Sequence, residues 1–229
     1  MKLSTMLYAL PPVLLLAAAA LPADETGEAE ALADKLQLVE KDRNGATYAQ
    51  PGVDWSAYDK IMIEDATVAF RKNWQRDQNR GRRALSERVS TSDMERIKSE
   101  LAALFDEVFA QEMAAGGRWQ IVESAGPDVL RIKPEIVDLD VYAPDVQSSS
   151  YTRSYTDSSG SMTLKLGLFD AETGDLLAAT SDKRQSPYRG YMQWTTSVSN
   201  KGDARRIVQQ WARDLDERLN AATGREAAD

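Results

Sequence analysis

Residues 162–180, MTLKLGLFDAETGDLLAAT, decide the fold class because they contain two apolar runs joined by a turn sequence. From Met162 to Leu168, apolar residues alternate with polar or small ones, which is the pattern of a strand with one buried face. The second apolar run, Leu176 to Thr180, follows a turn in which Gly174 can adopt the positive φ that tight hairpin turns require. This stretch therefore predicts a β-hairpin.

Two amphipathic helices are predicted on either side of this hairpin. In the first, Ser92 and Glu95 have the spacing of a capping box, and Gly116–Gly117 ends the helix. Its apolar face consists of Met94, Ile97, Leu101, Leu104, Phe105, Val108 and Phe109. In the second, Asp203 is the predicted cap. The apolar face of this last helix consists of Ile207, Val208, Trp211, Leu215 and Leu219.

Three further segments have the character of strands. Residues 58–70 are apolar at their centre, which predicts one strand covered on both faces, and residues 119–122 predict a short strand. In residues 129–141 the apolar alternation changes phase, which predicts a bulge or bend near Pro134. The expected fold is α/β (α+β), a single mixed β-sheet of about four to five strands with two main helices packed on one side.

The N-terminus has the order of a secretory signal peptide. Lys2 precedes a short apolar run from Met6 to Ala20, and small residues lead to a cleavage site near Ala23. A membrane anchor needs about 20 apolar residues, whereas this run is shorter and contains Pro11–Pro12. We therefore expect a periplasmic or secreted mature chain without a transmembrane segment.

The predicted cleavage site gives the first boundary of the domain organisation. Residues 1–23 are the predicted signal peptide, 24–45 a flexible lead-in, 46–222 a single domain and 223–229 a disordered tail. The chain contains no cysteine. This rules out a disulfide and a lipid anchor attached to a cysteine, so burial must stabilise the domain.

Composition excludes several classes of function. Acidic residues outnumber basic ones by 36 to 28, and a protein of this charge repels nucleic acid. The chain has no histidine and no cysteine, which argues against zinc and non-haem iron sites. No nucleophile elbow or phosphate-binding loop is present. We expect a protein without catalytic, metal or cofactor-binding residues.

One carboxylate pair keeps an enzymatic alternative open. Asp138 and Asp140 lie two residues apart on a predicted strand, which separates them by about 6–7 Å on one face. Two carboxylates at this separation could act as acid and base on a glycosidic bond. Acidic residues that alternate with valine and leucine are also typical of a solvent-facing strand.

Residues 71–88 form a basic segment, with seven basic residues against two acidic ones. This charge could dock an anionic partner, and Trp74 within the segment supports that interpretation. The alternative is a solvated loop whose arginines offset the acidic surroundings. The candidate interaction residues here are Arg76, Arg80, Arg82 and Arg83.

A second candidate surface lies in residues 185–199. Tyr188, Tyr191 and Trp194 flank or follow Arg189, so flat aromatic surface and a cation occur together. Such groups are enriched at interaction surfaces. They could equally form a lid over a sheet edge.

Four stretches in this order resemble a known family. They are YAQPGVDWSAYDKIMIEDATVAF (48–70), DVLRIKPEIVDLDV (128–141), GSMTLKLGLFDAETGDLLAATSDKR (160–184) and KGDARRIVQQWARDLDERL (201–219). The family is the proteobacterial envelope family called domain of unknown function 3313. The resemblance implies a location outside the cytoplasm of a Gram-negative cell and gives no catalytic residues to transfer. Members of that family are often lipoproteins, but this chain lacks the cysteine that would be acylated.

The leading hypothesis is a non-enzymatic accessory protein that binds an envelope protein or a cell-wall component. The alternatives are a carboxylate-dependent hydrolase of cell-wall glycan and a carrier of a small ligand.

Overall fold

A computed structural model describes residues 35–80, 88–141, 155–156, 160–185, 193–194 and 197–224. The strands are β1 Gln37–Lys41, β2 Gly45–Ala49, β3 Lys60–Ile63, β4 Thr67–Phe70, β5 Gln120–Ile121, β6 Val129–Val141, β7 Tyr155–Thr156, β8 Gly160–Asp170, β9 Leu176–Gln185 and β10 Gln193–Trp194. A 3-10 turn spans Trp55–Ala57, and the α-helices are α1 Trp74–Gln78, α2 Thr91–Ala115 and α3 Ser197–Thr223.

Eight strands of the described residues form one mixed sheet in the order β1-β2-β9-β8-β6-β3-β5, with β4 also paired to β6. Strands β3 and β4 run parallel to β6, whereas β6, β8, β9, β2 and β1 are successively antiparallel. Strands β7 and β10 form a separate antiparallel pair. The α/β class is confirmed, but the sheet has more strands than the expected four to five.

The predicted hairpin is confirmed as β8 and β9, which form the centre of the sheet. Gly174 has a φ of 77° in the connecting turn, as that position requires. The amide groups of Glu172 and Thr173 both donate to the Asp170 carboxylate, which further fixes the turn. Continuous pairing places Leu166 opposite Thr180.

Some of the additional strands lie at the edge of the sheet that is formed by the N-terminal part of the chain. Residues 37–41, which the sequence assigns to the lead-in, form β1 and pair with β2. Strand β2 in turn pairs with β9, so the β1–β2 hairpin extends the sheet. All five residues of β1 are exposed, including Leu38 and Val39, and these two adjacent apolar residues do not give the alternation that marks a half-buried strand.

The prediction of a single strand over residues 58–70 is wrong. The segment contains two short strands, β3 and β4, separated by residues 64–66. Both pair with β6, and the break lies beside Pro134 of β6, which has no amide hydrogen to donate.

The phase change in β6 lies after Pro134. The register between β6 and β8 shifts between Val137 and Asp140. Asp138 has a φ of 51°, the left-handed conformation found at bulges and turns. Pro134 itself is buried and remains in register opposite Leu166.

Both predicted helix caps are displaced. Helix α2 begins at Thr91, with Ser90 as N-cap and a capping box completed by Asp93 instead of Ser92 and Glu95. Helix α3 begins at Ser197, so Asp203 lies inside it and pairs with Arg206 on the same helix.

Both long helices, α2 and α3, pack against the same face of the sheet. One buried cluster contains Phe105, Phe109 and Met113 from α2 and Val208, Trp211 and Leu215 from α3. The same cluster includes alternate residues of β8, Leu164, Leu166 and Leu168. The predicted packing of two main helices on one side is therefore confirmed. No helix among the described residues is long and apolar enough to cross a membrane.

Candidate functional site

The described part of the basic segment, residues 71–80, is fixed to the sheet by Trp74. The indole ring is 1% exposed and stacks on Phe70, with 4.0 Å between ring centroids. Its Nε1 donates to the Val141 carbonyl oxygen at 2.9 Å. Trp74 is therefore an anchor in the core and not a surface for stacking a ligand.

Asn79 and Gln75 close the base of this segment on Val89. The Asn79 side chain accepts from the Val89 amide at 2.7 Å and donates to the Val89 carbonyl at 3.0 Å. Gln75 donates to the same carbonyl at 3.1 Å. These contacts join the chain on the two sides of residues 81–87, which lie outside the described residues.

The basic residues of the segment differ in their exposure and in their ion pairs. Arg71 is half-buried and bonds to Asp77 at 2.8 Å and to Asp140 at 2.9 Å. The hydrogen bond from Arg71 lowers the pKa of Asp77 below its ordinary value. Arg76, by contrast, has a side chain that is 66% exposed and contacts Asp77 only at 3.3 Å, and Arg80 is exposed.

Of the predicted interaction residues, Arg76 and Arg80 therefore lie on one anchored, exposed segment. Arg82, Arg83, Tyr188, Arg189 and Tyr191 lie outside the described residues. Trp194 is in β10, where it pairs with Tyr155 of β7.

The two carboxylates of the predicted acid–base pair lie in different surroundings. Asp138 is exposed at the β6 bulge, whereas Asp140 is bound to Arg71. Within the described residues, no group of three or more acidic residues could hold a metal ion.

A second region, the hairpin–helix cleft, lies between the β1–β2 hairpin, the middle of β8 and β9, and α3. The cleft has a volume of about 140 Å³. Leu164, Leu166 and Leu215 contribute its apolar lining. Neither Asp138 nor Asp140 lines it.

Arg184 organises the inner part of the cleft. Its guanidinium group bonds to Asp182 at 2.7 Å, to Gln210 at 3.2 Å and to Asp214. It also lies 5.9 Å from the centroid of the Trp211 ring. Trp211 is 3% exposed and donates its Nε1 to Asp182 at 2.9 Å. The cleft thus contains a charged network that joins β9 to α3.

A second arginine, Arg218, joins the β1–β2 hairpin to the same helix. It bonds to Glu40 at 3.0 Å and to the Thr47 hydroxyl at 2.7 Å. The hydroxyls of Thr47 and Thr180 are 2.9 Å apart and hydrogen-bonded. Nearby, Asp42 accepts from the amides of Gly45 and Asn44, and these bonds lower its pKa.

Sequence reasoning missed this cleft because its residues come from distant parts of the chain. Two local signals could have indicated it. Asp182 and Arg184 alternate on one strand, and Asp214 and Arg218 are spaced one helical turn apart beside the core residue Leu215. Charges that border a buried face at these spacings are positioned to meet across a strand and a helix.

The chain matches the model of a family described as protein of unknown function, DUF3313, over residues 28–215. It belongs to the DUF3313 family. No curated protein matches this DUF3313 chain.

Several solved structures are distantly similar to this chain. A PelC dodecamer subunit from Paraburkholderia phytofirmans is 10% identical, with 78% of this chain and 96% of that chain covered and a TM-score of 0.34. A minor lipoprotein from Acinetobacter baumannii is 11% identical, with coverage of 73% and 95% and a TM-score of 0.34. A DUF330 protein from Xanthomonas campestris is 8% identical, with coverage of 77% and 91% and a TM-score of 0.41. Similarities this distant indicate no function for the DUF3313 chain.

Proposed function

We propose that this DUF3313 protein is exported and acts outside the cytoplasm as a non-enzymatic accessory protein that binds an acidic envelope protein through its basic segment. Export is supported by the basic, apolar and small-residue order of residues 1–23. In this proposal the mature chain starts near Asp24 and is a single domain that begins with β1 and extends to residue 222.

The observation that carries the docking proposal is the anchoring of the basic segment by Trp74. Burial of the indole and the Asn79–Val89 bonds hold the backbone of residues 71–80 against the sheet. Arg76 and Arg80 are exposed on this fixed support. A positioned arginine loses less conformational freedom on binding than one on a mobile chain, which favours affinity.

The charge distribution supports a protein partner over a lipid surface. The whole chain carries a formal net charge of −8, so most of its surface is repelled by an anionic membrane. The basic segment is local, and a partner with a small acidic patch can contact it while the remaining acidic surface stays in solvent. The same repulsion argues against nucleic acid.

The first experiment captures partners of the mature protein from its native envelope fraction after mild crosslinking. The test variant is Arg76→Glu with Arg80→Glu, and the matched control is Arg43→Glu with Arg206→Glu, two exposed arginines outside the basic segment. We expect one acidic protein to be recovered with the wild type and the control but lost with the test variant. The recovered partner, once purified, should bind more weakly as salt is raised.

Recovery that is equal for wild type and both variants would remove the basic segment from the proposal. Binding of the wild type to vesicles of anionic lipid, in preference to any acidic protein, would show that the partner class is wrong. A charge-reversal variant of Arg82 and Arg83 extends the test to the part of the basic segment that lies outside the described residues.

A further inference from the structure

We infer that the hairpin–helix cleft is a separate binding site for a small neutral polyol of about the size of one sugar ring. The cleft and the basic segment share no residue, so this inference stands independently of the docking proposal. It assigns a ligand class to a part of the described residues in which a concave shape and converging hydrogen-bonding groups occur together.

The size of the cleft limits the ligand. A volume of about 140 Å³ is close to that of an engineered cavity of about 150 Å³ that holds one benzene ring. A ligand of one ring therefore matches this space. The lining combines apolar surface from Leu164 and Leu166 with polar side chains, which suits a molecule that has both C–H and O–H groups.

The charge balance of the cleft argues for a neutral ligand. The cations that line it are Lys41, Arg184 and Arg218. The carboxylates are Glu40, Asp42, Asp182 and Asp214. Opposite charges are thus nearly equal in number, and the lining has no excess that would attract an anion or a strong cation.

Most of these charged groups already have partners within the protein. Arg184 holds Asp182 and Asp214, Arg218 holds Glu40, and Asp42 accepts two backbone amides. An anionic ligand would lie beside the carboxylates of these pairs as well as their arginines, and a cationic ligand would lie beside the arginines as well as the carboxylates. Repulsion from the like-charged partner offsets part of each new charge-assisted bond.

A neutral hydroxyl group meets no such repulsion. A carboxylate can accept about four hydrogen bonds and a guanidinium can donate five, so each retains capacity after its present bonds. The hydroxyls of Thr47 and Thr180 add groups that both donate and accept. A ligand hydroxyl can donate to Asp214 and accept from Arg218 while both ion pairs persist.

The test is a set of ligands that share one ring and differ in charge. Glucose and myo-inositol are the neutral probes, glucuronate is the anionic probe and glucosamine is the cationic probe. Each is titrated into isotope-labelled protein, and backbone and indole N–H signals are followed by NMR. We expect saturable shifts for the Trp211 indole and for residues 40–47 with a neutral probe, with dissociation constants of about 1 mM or less. The charged probes should bind about tenfold more weakly.

A matched pair of variants locates the site. Thr180→Val removes a cleft hydroxyl with little change in volume and should weaken neutral binding about fivefold, by analogy with a lost neutral hydrogen bond. Thr163→Val, on the opposite face of neighbouring β8, should leave it unchanged. The wild-type ligand series decides the question even if Thr180→Val proves unstable.

Two results would overturn the inference. The first is the absence of saturable shifts in the cleft with both neutral probes. The second is tighter binding of glucuronate or glucosamine than of glucose. Neither result bears on capture of an acidic protein, so failure here and failure of the docking proposal are distinguishable.

Discussion

The basic segment and the hairpin–helix cleft each depend on a buried tryptophan, but in opposite chemical settings. Trp74 stacks on Phe70 and donates to a backbone carbonyl, and the exposed arginines of its segment take no part in that packing. Trp211 donates to a carboxylate and lies beside a guanidinium that binds two acidic residues. In the first region the exposed charges of Arg76 and Arg80 are separate from the packing, whereas in the second charge and packing form one network.

This difference predicts how each region responds to mutation. Removing an exposed charge that takes no part in packing should weaken binding and leave the free energy of unfolding unchanged. Removing a charge that joins two elements should weaken binding and also lower the free energy of unfolding. The two regions can therefore be distinguished by comparing unfolding free energies with binding for matched substitutions.

The largest expected effect is that of Trp74→Ala. The substitution removes a fully buried ring and its hydrogen bond and should lower the free energy of unfolding by about 3–5 kcal/mol. Urea unfolding followed by circular dichroism measures this loss. Arg76→Ala in the same helix is the control, with an expected change within about 0.5 kcal/mol. A loss below about 1 kcal/mol for Trp74→Ala would show that the segment does not depend on its anchor.

Arg184→Leu should have the next largest effect. It leaves Asp182 and Asp214 without their shared guanidinium and should cost about 1–3 kcal/mol in urea unfolding. The matched control is Arg206→Leu, which removes an exposed pair with Asp203 within α3 and should cost less than about 1 kcal/mol. Equal losses in the two variants would mean that the cleft network is no stronger than a surface ion pair.

The elements with strong periodicity could be predicted from the sequence. The alternation of β8 and the helical spacing of α2 and α3 report burial directly, so the hairpin and both long helices were found. Strand β1 was missed because all of its residues are exposed and it is held by pairing with β2. An edge strand that is exposed on both faces has no alternation of apolar and polar residues from which it could be predicted.

The displaced cap of α2 has a physical explanation that the sequence contains. Two capping boxes overlap, Ser90 with Asp93 and Ser92 with Glu95. The first also places Val89 before the cap and Met94 at the fourth helical position, and these two residues pack in one apolar cluster. Such a hydrophobic staple stabilises the earlier start. The alternative start would place Thr91 and Arg96 at those positions.

The candidate sites were less predictable than the fold. The excess of basic residues over 71–88 identified an exposed segment, but the role of Trp74 depends on Phe70 and Val141, which the local sequence does not place beside it. The cleft depends on contacts of Arg184 and Arg218 with residues of other elements. The periodicity of apolar residues indicates which face of an element is buried. It does not indicate which charged side chains of two different elements will form a pair beside that face.

A smaller effect on stability is expected for reversal of the exposed charges. Arg76→Glu with Arg80→Glu should change the free energy of unfolding by no more than about 0.5 kcal/mol, because these side chains are exposed. Arg71→Glu should cost more, since Arg71 is bound to Asp77 and Asp140 on two elements. Urea unfolding of the three proteins tests this order. A large loss in the double variant would show that charge and packing are not separate in this segment.

The smallest effect concerns two carboxyl groups whose pKa values are lowered by different means. Arg71 lowers the pKa of Asp77, whereas the amides of Gly45 and Asn44 are the main cause for Asp42. In both cases the folded pKa lies below the unfolded one. The resulting stability is therefore present above an ordinary pKa of about 3.9 and is lost as pH falls through the folded pKa.

Salt should separate the two causes in a pH titration followed by carboxyl carbon NMR. Mobile ions can reach the partly exposed Arg71–Asp77 pair and screen it, so added salt should raise the pKa of Asp77 towards its ordinary value. The backbone bonds to Asp42 act at hydrogen-bond distance and should keep its pKa low. Arg71→Met should raise the pKa of Asp77 and leave that of Asp42 unchanged. Equal salt shifts of both groups would mean that the Asp42 carboxyl responds mainly to the arginines of the cleft, and that the cleft is held by long-range charge as well as by direct bonds.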